Sequence, residues 1–168
     1  MDASRTLRDL FAYNGWANAQ VFAICRDVDH ARLEATAPGT FGSIEETLKH
    51  LVGVEDVYLF LLRDGPIDHA GGQAEHFARP RDWFANRATE LAAGYAELLA
   101  RVDPGFFDEQ LRVAWIDVPL TRHDGLLQVL QHSAQHRAQV LSALGGHGVT
   151  VPDVDYVFYL GANRGGTA

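Results

Sequence analysis

Hydrophobic residues recur at three- and four-residue spacing in four long segments of the chain, which is the period of an amphipathic α-helix. These segments cover residues 5–27, 44–62, 82–101 and 122–144. Gly/Pro-containing stretches at 28–42 and 64–80 separate the first three segments and predict long connections. Four such helices with little strand content favour an all-α fold. We predict a four-helix bundle that forms a single domain over residues 1–168.

Residues at the segment ends predict where the helices start and stop. Ser43 with Glu46, and Thr121 with Asp124, have the spacing of capping boxes at the starts of the second and fourth helices. Gly145-Gly146 predicts the end of the fourth helix. The segment 111–119 has strand-forming residues, although its proline limits it to an edge strand or a hairpin. The apolar tail 151–160 is expected to pack on the bundle and to fray from residue 161 onward.

Three histidines are candidates for a metal site. His132 and His136 lie four residues apart in the fourth helix, so their imidazoles share one helix face. His50 has a comparable position beside the apolar face of the second helix. Three ligand nitrogens that leave a coordination position open are typical of a catalytic metal centre. The alternative is two surface histidines and one hydrogen-bonded core histidine, while His69 and His76 fall in the 64–80 connection and are expected to be solvated.

Polar residues also fall inside the apolar helix faces. Glu55 and Arg137 lie near the centres of the second and fourth of these faces, where an unpartnered charge would be costly. We expect them either to pair with each other or to lie near the metal, with Glu55 orienting a ligand histidine; the alternative is a solvated Arg137. Asn14 and Asn18 would bond across the core or line a pocket, together with the 64–80 connection. Trp16 points away from its apolar face and suggests a subunit contact.

The charge balance and the single cysteine narrow the possible environment and partners. The net charge is −8 and Lys49 is the only lysine, which argues against binding to nucleic-acid phosphates. Cys25 is the only cysteine, so an internal disulfide is excluded and a reducing compartment is favoured. No apolar run approaches the ~18 residues of a membrane span. We therefore expect a soluble cytoplasmic protein with no membrane partner.

Four sequence stretches resemble the DinB/YfiT-like metalloprotein family, in the order that the family keeps. They are YNGWAN at 13–18, SIEETLKHLVGVEDVYL at 43–59, LLQVLQHSAQHRAQV at 126–140 and GVTVPDVDYVFYL at 148–160. The resemblance implies that His50, His132 and His136 are the metal ligands. It also matches Arg137 and Glu55 to the family's arginine and glutamate. Family members often read His-His-Arg-Gly-Gln, whereas this chain has Gln135 and Ala138 in that motif, a departure that keeps the three histidines.

The resemblance also implies a biochemical role. It suggests a homodimer that binds a divalent ion, zinc or nickel, and that acts with a low-molecular-weight thiol as an S-transferase or isomerase. Our leading hypothesis is a thiol-dependent S-transferase of small-molecule metabolism or detoxification. The alternatives are a stress-associated metal-binding homodimer without catalysis and a metal-dependent hydrolase that uses bound water.

Overall fold

The computed structural model describes residues 3–65 and 78–164. The secondary-structure elements, in chain order, are α1 (Ala3–Asp27), α2 (His30–Leu33), α3 (Ile44–Arg63), α4 (Arg81–Arg101), a 3-10 helix (Pro104–Asp108), β1 (Gln110–Leu111), β2 (Leu120–Thr121), α5 (Arg122–Gly146) and α6 (Tyr156–Arg164). The long helices α1, α3, α4 and α5 match the four predicted segments to within about two residues. His69 and His76, which we expected to be solvated, lie outside the described residues.

The four long helices form a bundle in which α1 and α3 each pack against both α4 and α5. Their buried faces meet in one apolar core, which includes Phe11, Leu51, Phe84, Leu99 and Leu126. The predicted all-α four-helix bundle is confirmed. In this arrangement α1 and α3 occupy opposite corners, so the connection that carries α2 has to cross one end of the bundle.

Both predicted capping boxes are present. The Ser43 hydroxyl accepts from the Glu46 backbone N–H at 3.1 Å, and the Glu46 carboxylate accepts from the Ser43 N–H at 2.7 Å. Thr121 and Asp124 make the equivalent pair at 3.2 and 2.8 Å. These contacts satisfy N–H groups that the first turns of α3 and α5 would otherwise leave unpaired. The short segments before the helices therefore determine where α3 and α5 begin.

The end of α5 and the strand segment differ in detail from the prediction. α5 continues through the predicted glycine stop and ends at Gly146, because the left-handed residue is Gly148, with φ +77°. The N–H groups of Gly148 and Val149 bond back to Gly145 and Leu144 at 3.0 Å, which is a Schellman motif. β1 and β2 pair in antiparallel register on either side of the predicted 111–119 segment, most of which forms their connection.

The C-terminal segment packs against α1, as expected. Tyr13 donates a hydrogen bond to the Val154 carbonyl at 2.8 Å and makes an edge contact with Tyr156. Trp16, which suggested a subunit contact, lies 5.7 Å from the ring of Tyr159 in α6. The outward tryptophan therefore packs on its own chain. The expectation of fraying from residue 161 was wrong through residue 164, where the chain is still helical.

Cys25 and Glu45 lie at one end of the bundle, where Arg81 donates hydrogen bonds to the Cys25 carbonyl and to the Glu45 carboxylate. Cys25 is fully buried, and this burial raises the pKa of its thiol to about 12, so the side chain acts as a small apolar group. Glu45 accepts from Lys49 at 2.9 Å and from Arg81 at 3.0 Å, which ties α3 to the start of α4.

Among the helices that the structure describes, none has both the length and the hydropathy required to cross a bilayer.

Candidate metal centre

The three predicted histidines converge at one point between α3 and α5. Nε2 of His132 lies 3.1 Å from Nε2 of His50 and 3.1 Å from Nε2 of His136. The i,i+4 spacing stacks His132 and His136 on one helix face, and the packing of α3 on α5 brings His50 to them. Among the described residues, this cluster offers three nitrogen donors and no carboxylate.

Hydrogen bonds between the imidazoles do not account for this arrangement. A neutral imidazole nitrogen carries either one hydrogen or one lone pair, so Nε2 of His132 cannot form a good hydrogen bond to both neighbours. Two nitrogens that bind one ion at roughly 2.0–2.1 Å, with ligand angles of about 90–110°, lie about 2.9–3.4 Å apart. The observed separations of 3.1 Å fall inside that range. The donor set therefore fits a single divalent ion.

Burial favours the neutral form of His132 and His136, which is the form that binds a metal ion. Burial, together with smaller effects of the nearby His136 and His50, lowers the pKa of His132 to about 3. Burial also lowers the pKa of His136, although its hydrogen bond with Gln139 acts in the opposite direction. Both shifts favour neutral imidazoles at neutral pH, whose lone pairs can bind a metal ion. Nδ1 of His132 is buried and has no hydrogen-bond partner among the described residues.

Two residues that the sequence did not single out contact the clustered histidines. Gln139 lies one turn after His136 and accepts a hydrogen bond from its Nδ1–H at 2.6 Å, which leaves Nε2 to face the cluster. Its i,i+3 spacing was a signal that could have identified it. Phe41 stacks on His50 with ring centroids 4.0 Å apart and planes 11° apart. The Thr47 hydroxyl fixes the Phe41 backbone by accepting a hydrogen bond from its N–H at 3.0 Å. Because Phe41 lies in a loop, the spacing of residues within a helix could not predict its contact with His50.

Glu55 and Arg137 are buried next to the cluster, but two asparagines lie between them. One Glu55 oxygen accepts from Asn14 at 2.8 Å, from Asn18 at 2.9 Å and from Ser133 at 2.6 Å. The Arg137 guanidinium donates to the side-chain oxygens of the same two asparagines. Each amide therefore bridges the cation to the carboxylate, and Arg137, which is 3% exposed, is not solvated.

This network changes two of the expectations for the residues around the histidine cluster. Asn14 and Asn18 do not line a pocket, because they are 3% and 2% exposed and their amides are used in the core. Glu55 bonds to the asparagines and Ser133, and among the described contacts its carboxylate does not orient a histidine. Burial lowers the pKa of Arg137, and the Glu55 charge opposes this shift.

All four long helices meet at this network. Asn14 and Asn18 come from α1, Glu55 from α3 and Arg137 from α5. From α4, Tyr95 donates to the Glu55 backbone carbonyl at 2.8 Å. Since Arg137 directly follows His136 in α5, the network fixes the rotation of the helix that carries two of the three histidines. It is a buried scaffold beside the histidine cluster.

Comparison with known proteins agrees with the fold. The model of the DinB family matches residues 1–166. Among solved structures, a DinB-like protein from Bacillus cereus is similar over 85% of this chain and 91% of its own, with a TM-score of 0.63 and 17% sequence identity. At that identity the likeness shows the fold alone. No curated protein matches the chain.

Proposed function

The chain belongs to the DinB family, and from that premise we propose that it binds one divalent ion, zinc or nickel, and acts as a thiol-dependent S-transferase on a small molecule. The observation that carries the proposal is the convergence of three Nε2 atoms, since those of His50 and His136 each lie 3.1 Å from that of His132. His50, His132 and His136 would hold the ion. When bound with an open position, such an ion supplies Lewis acidity that lowers the pKa of a thiol or water molecule.

Two neighbouring side chains hold the imidazole rings of the proposed ligands in place. Gln139 holds the ring of His136 through Nδ1, and Phe41 holds the ring of His50 by stacking on its face. His50 and His132 are only half-buried, so a small molecule can reach the cluster from solvent. A structural site would be expected to supply four protein ligands. The three donors found among the described residues favour a catalytic centre over a purely structural one.

A thiol fits the site better than water does. A free thiol has a pKa near 8.5, so a modest shift yields thiolate at neutral pH, whereas water needs a much larger shift and commonly a basic side chain. The cluster has no carboxylate among the described residues, and the nearby Glu55 already accepts three hydrogen bonds. This favours the S-transferase over the hydrolase. The proposal includes the homodimer that the family resemblance implies.

Metal analysis of untagged protein tests the metal site. Wild type is compared with His136→Ala and with His123→Ala, which removes a histidine from the same helix but outside the cluster. We expect near-stoichiometric zinc or nickel in wild type and in the His123 variant, and a large loss in the His136 variant. Equal metal content in all three proteins would remove the basis of the proposal.

An S-transfer assay tests the reaction with the same proteins. Each is incubated at neutral pH with a small thiol and a fluorogenic electrophile, and product formation is corrected for the uncatalysed rate. We expect catalysis by wild type and the His123 variant only. Metal-loaded wild type that hydrolyses a small ester but transfers no thiol would favour the hydrolase. If it does neither, the result would favour the non-catalytic alternative.

A further inference from the structure

A groove of about 660 Å³ opens next to the metal centre. The connection before α3 forms one wall, with Thr36 and Pro38, and the last turns of α5 form the other, with Gln139, Ser142 and His147. This volume lies within the range of about 300–1,000 Å³ that is usual for small-ligand sites. It is therefore large enough for more of a substrate than the reacting atom.

Gln139 joins the groove to the metal centre. Its carbonyl oxygen accepts from Nδ1 of His136 at 2.6 Å, and the same side chain lines the groove. The amide nitrogen of Gln139 makes no hydrogen bond within the described residues, so it can donate to a ligand. A molecule in the groove is therefore separated from the histidine cluster only by the side chain of Gln139. This adjacency suggests that the two sites hold two parts of one substrate.

The groove wall offers hydrogen bonds without full charges. Hydroxyl, amide and imidazole groups line it, and none of its lining residues in the part of the chain that the structure describes is lysine, arginine, aspartate or glutamate. α5 ends at Gly146 in the same wall, and the C-terminal end of a helix carries partial negative charge. The chain as a whole has a net charge of −8. An anionic group in the groove would therefore find no cationic side chain among the described lining residues, and the net charge of the chain would repel it at longer range.

We propose that this groove binds the non-reacting part of the thiol substrate, and that this part is a neutral group rich in amides or hydroxyls. The inference rests on the proposed thiol-dependent function. It goes further by naming where the substrate lies and which chemistry is recognised. Gln139 is then a positioning residue with two contacts, one to the ligand histidine and one to the substrate.

The test uses metal-loaded, full-length protein and calorimetric titration with three probes. N-acetylcysteine amide is a neutral thiol, mercaptosuccinate is a doubly anionic thiol, and N-acetylserine amide is neutral but has no thiol. The groove-filling variants are Ser142→Phe and Ala138→Phe, both at exposed positions in the groove wall. The control is Gln128→Phe, at an exposed position of the same helix away from the groove. Metal content is measured for every protein.

We expect either groove-filling variant to weaken binding of the neutral thiol about tenfold or more, through loss of hydrogen bonds and exclusion by the ring. The control should bind like wild type, and all variants should retain their metal. The thiol-free amide should bind more weakly than the thiol and should also respond to Ser142→Phe. In wild type, mercaptosuccinate should bind at least about tenfold more weakly than the neutral thiol.

Failure of this inference can be told apart from failure of the proposed function. Wild-type affinity for the neutral thiol in both groove-filling variants would overturn the groove assignment while leaving the metal centre intact. Equal or tighter binding of mercaptosuccinate would overturn the preference for a neutral group. If thiol and thiol-free probes bind equally and both respond to Ser142→Phe, the groove is supported and the thiol-dependent function is contradicted.

Discussion

The buried network around Glu55 gives the most direct energetic test of the structure. In Glu55→Gln the shape is nearly conserved, but the charge that Asn14, Asn18 and Ser133 hydrogen-bond is lost. A hydrogen bond to a charged group contributes about 1.5–3 kcal/mol, compared with about 0.5–1.5 kcal/mol for a neutral one. The stabilising contribution of each of these three hydrogen bonds therefore falls by roughly 1 kcal/mol. We therefore expect a destabilisation of about 3 kcal/mol, with a further loss because Arg137 keeps a buried charge.

Urea unfolding at pH 7, followed by far-UV circular dichroism, measures this change through the midpoint and slope of the transition. Wild type and variant must contain the same metal, since a bound ion stabilises the native state by mass action. The control is Glu97→Gln, which makes the same chemical change in an exposed ion pair with Arg101. That pair should contribute within about 0.5 kcal/mol. A Glu55 variant as stable as the control would refute the reasoning.

A double-mutant cycle separates the charge coupling from the hydrogen bonds. Arg137→Met alone should destabilise the protein, because it leaves the Glu55 carboxylate buried without a cation and the asparagine oxygens without a donor. Combined with Glu55→Gln, the total loss should be smaller than the sum of the single losses by about 1–3 kcal/mol. Strict additivity would show that the two asparagines do not transmit the interaction.

Three further predictions concern the ligand shell, the acid limit and the end of α5. Gln139→Leu should weaken metal affinity about 10- to 100-fold, because His136 loses its Nδ1 partner; Gln135→Leu, tested with the same metal-competition assay, should have no such effect. The pKa of Glu45 lies below its ordinary value of 4.5, because hydrogen bonds from its two cationic partners outweigh the opposing effect of burial. Its stabilising contribution should therefore be present above pH 4.5 and be lost as the pH falls below it, so Glu45→Gln should flatten the acid limb of a stability–pH curve. Gly148→Ala should lower the melting temperature, because its positive φ strains an L residue, whereas Gly145→Ala should raise it, because a Cβ there meets nothing within 4 Å and alanine favours the helix.

Features that depend on neighbours in sequence could be predicted from the chain alone. The four long helices follow from the spacing of apolar residues, and two of their starts follow from the capping boxes at Ser43 and Thr121. The stacking of His132 and His136 follows from a four-residue spacing. The sequence also indicated that Glu55 and Arg137 are buried, because each lies in the middle of an apolar helix face.

Only the tertiary structure decided how these residues meet. Glu55 is 82 residues before Arg137, and the two asparagines that bridge them come from a third helix, so no local pattern encodes the network. The packing of Trp16 on α6 and the stacking of Phe41 on His50 depend likewise on how connections return to the bundle. Periodicity determines which face of a helix is buried. The relative rotation and offset of the helices, set by packing across the whole core, determine which buried groups become neighbours. That is why the three-histidine cluster could be located only in the folded structure.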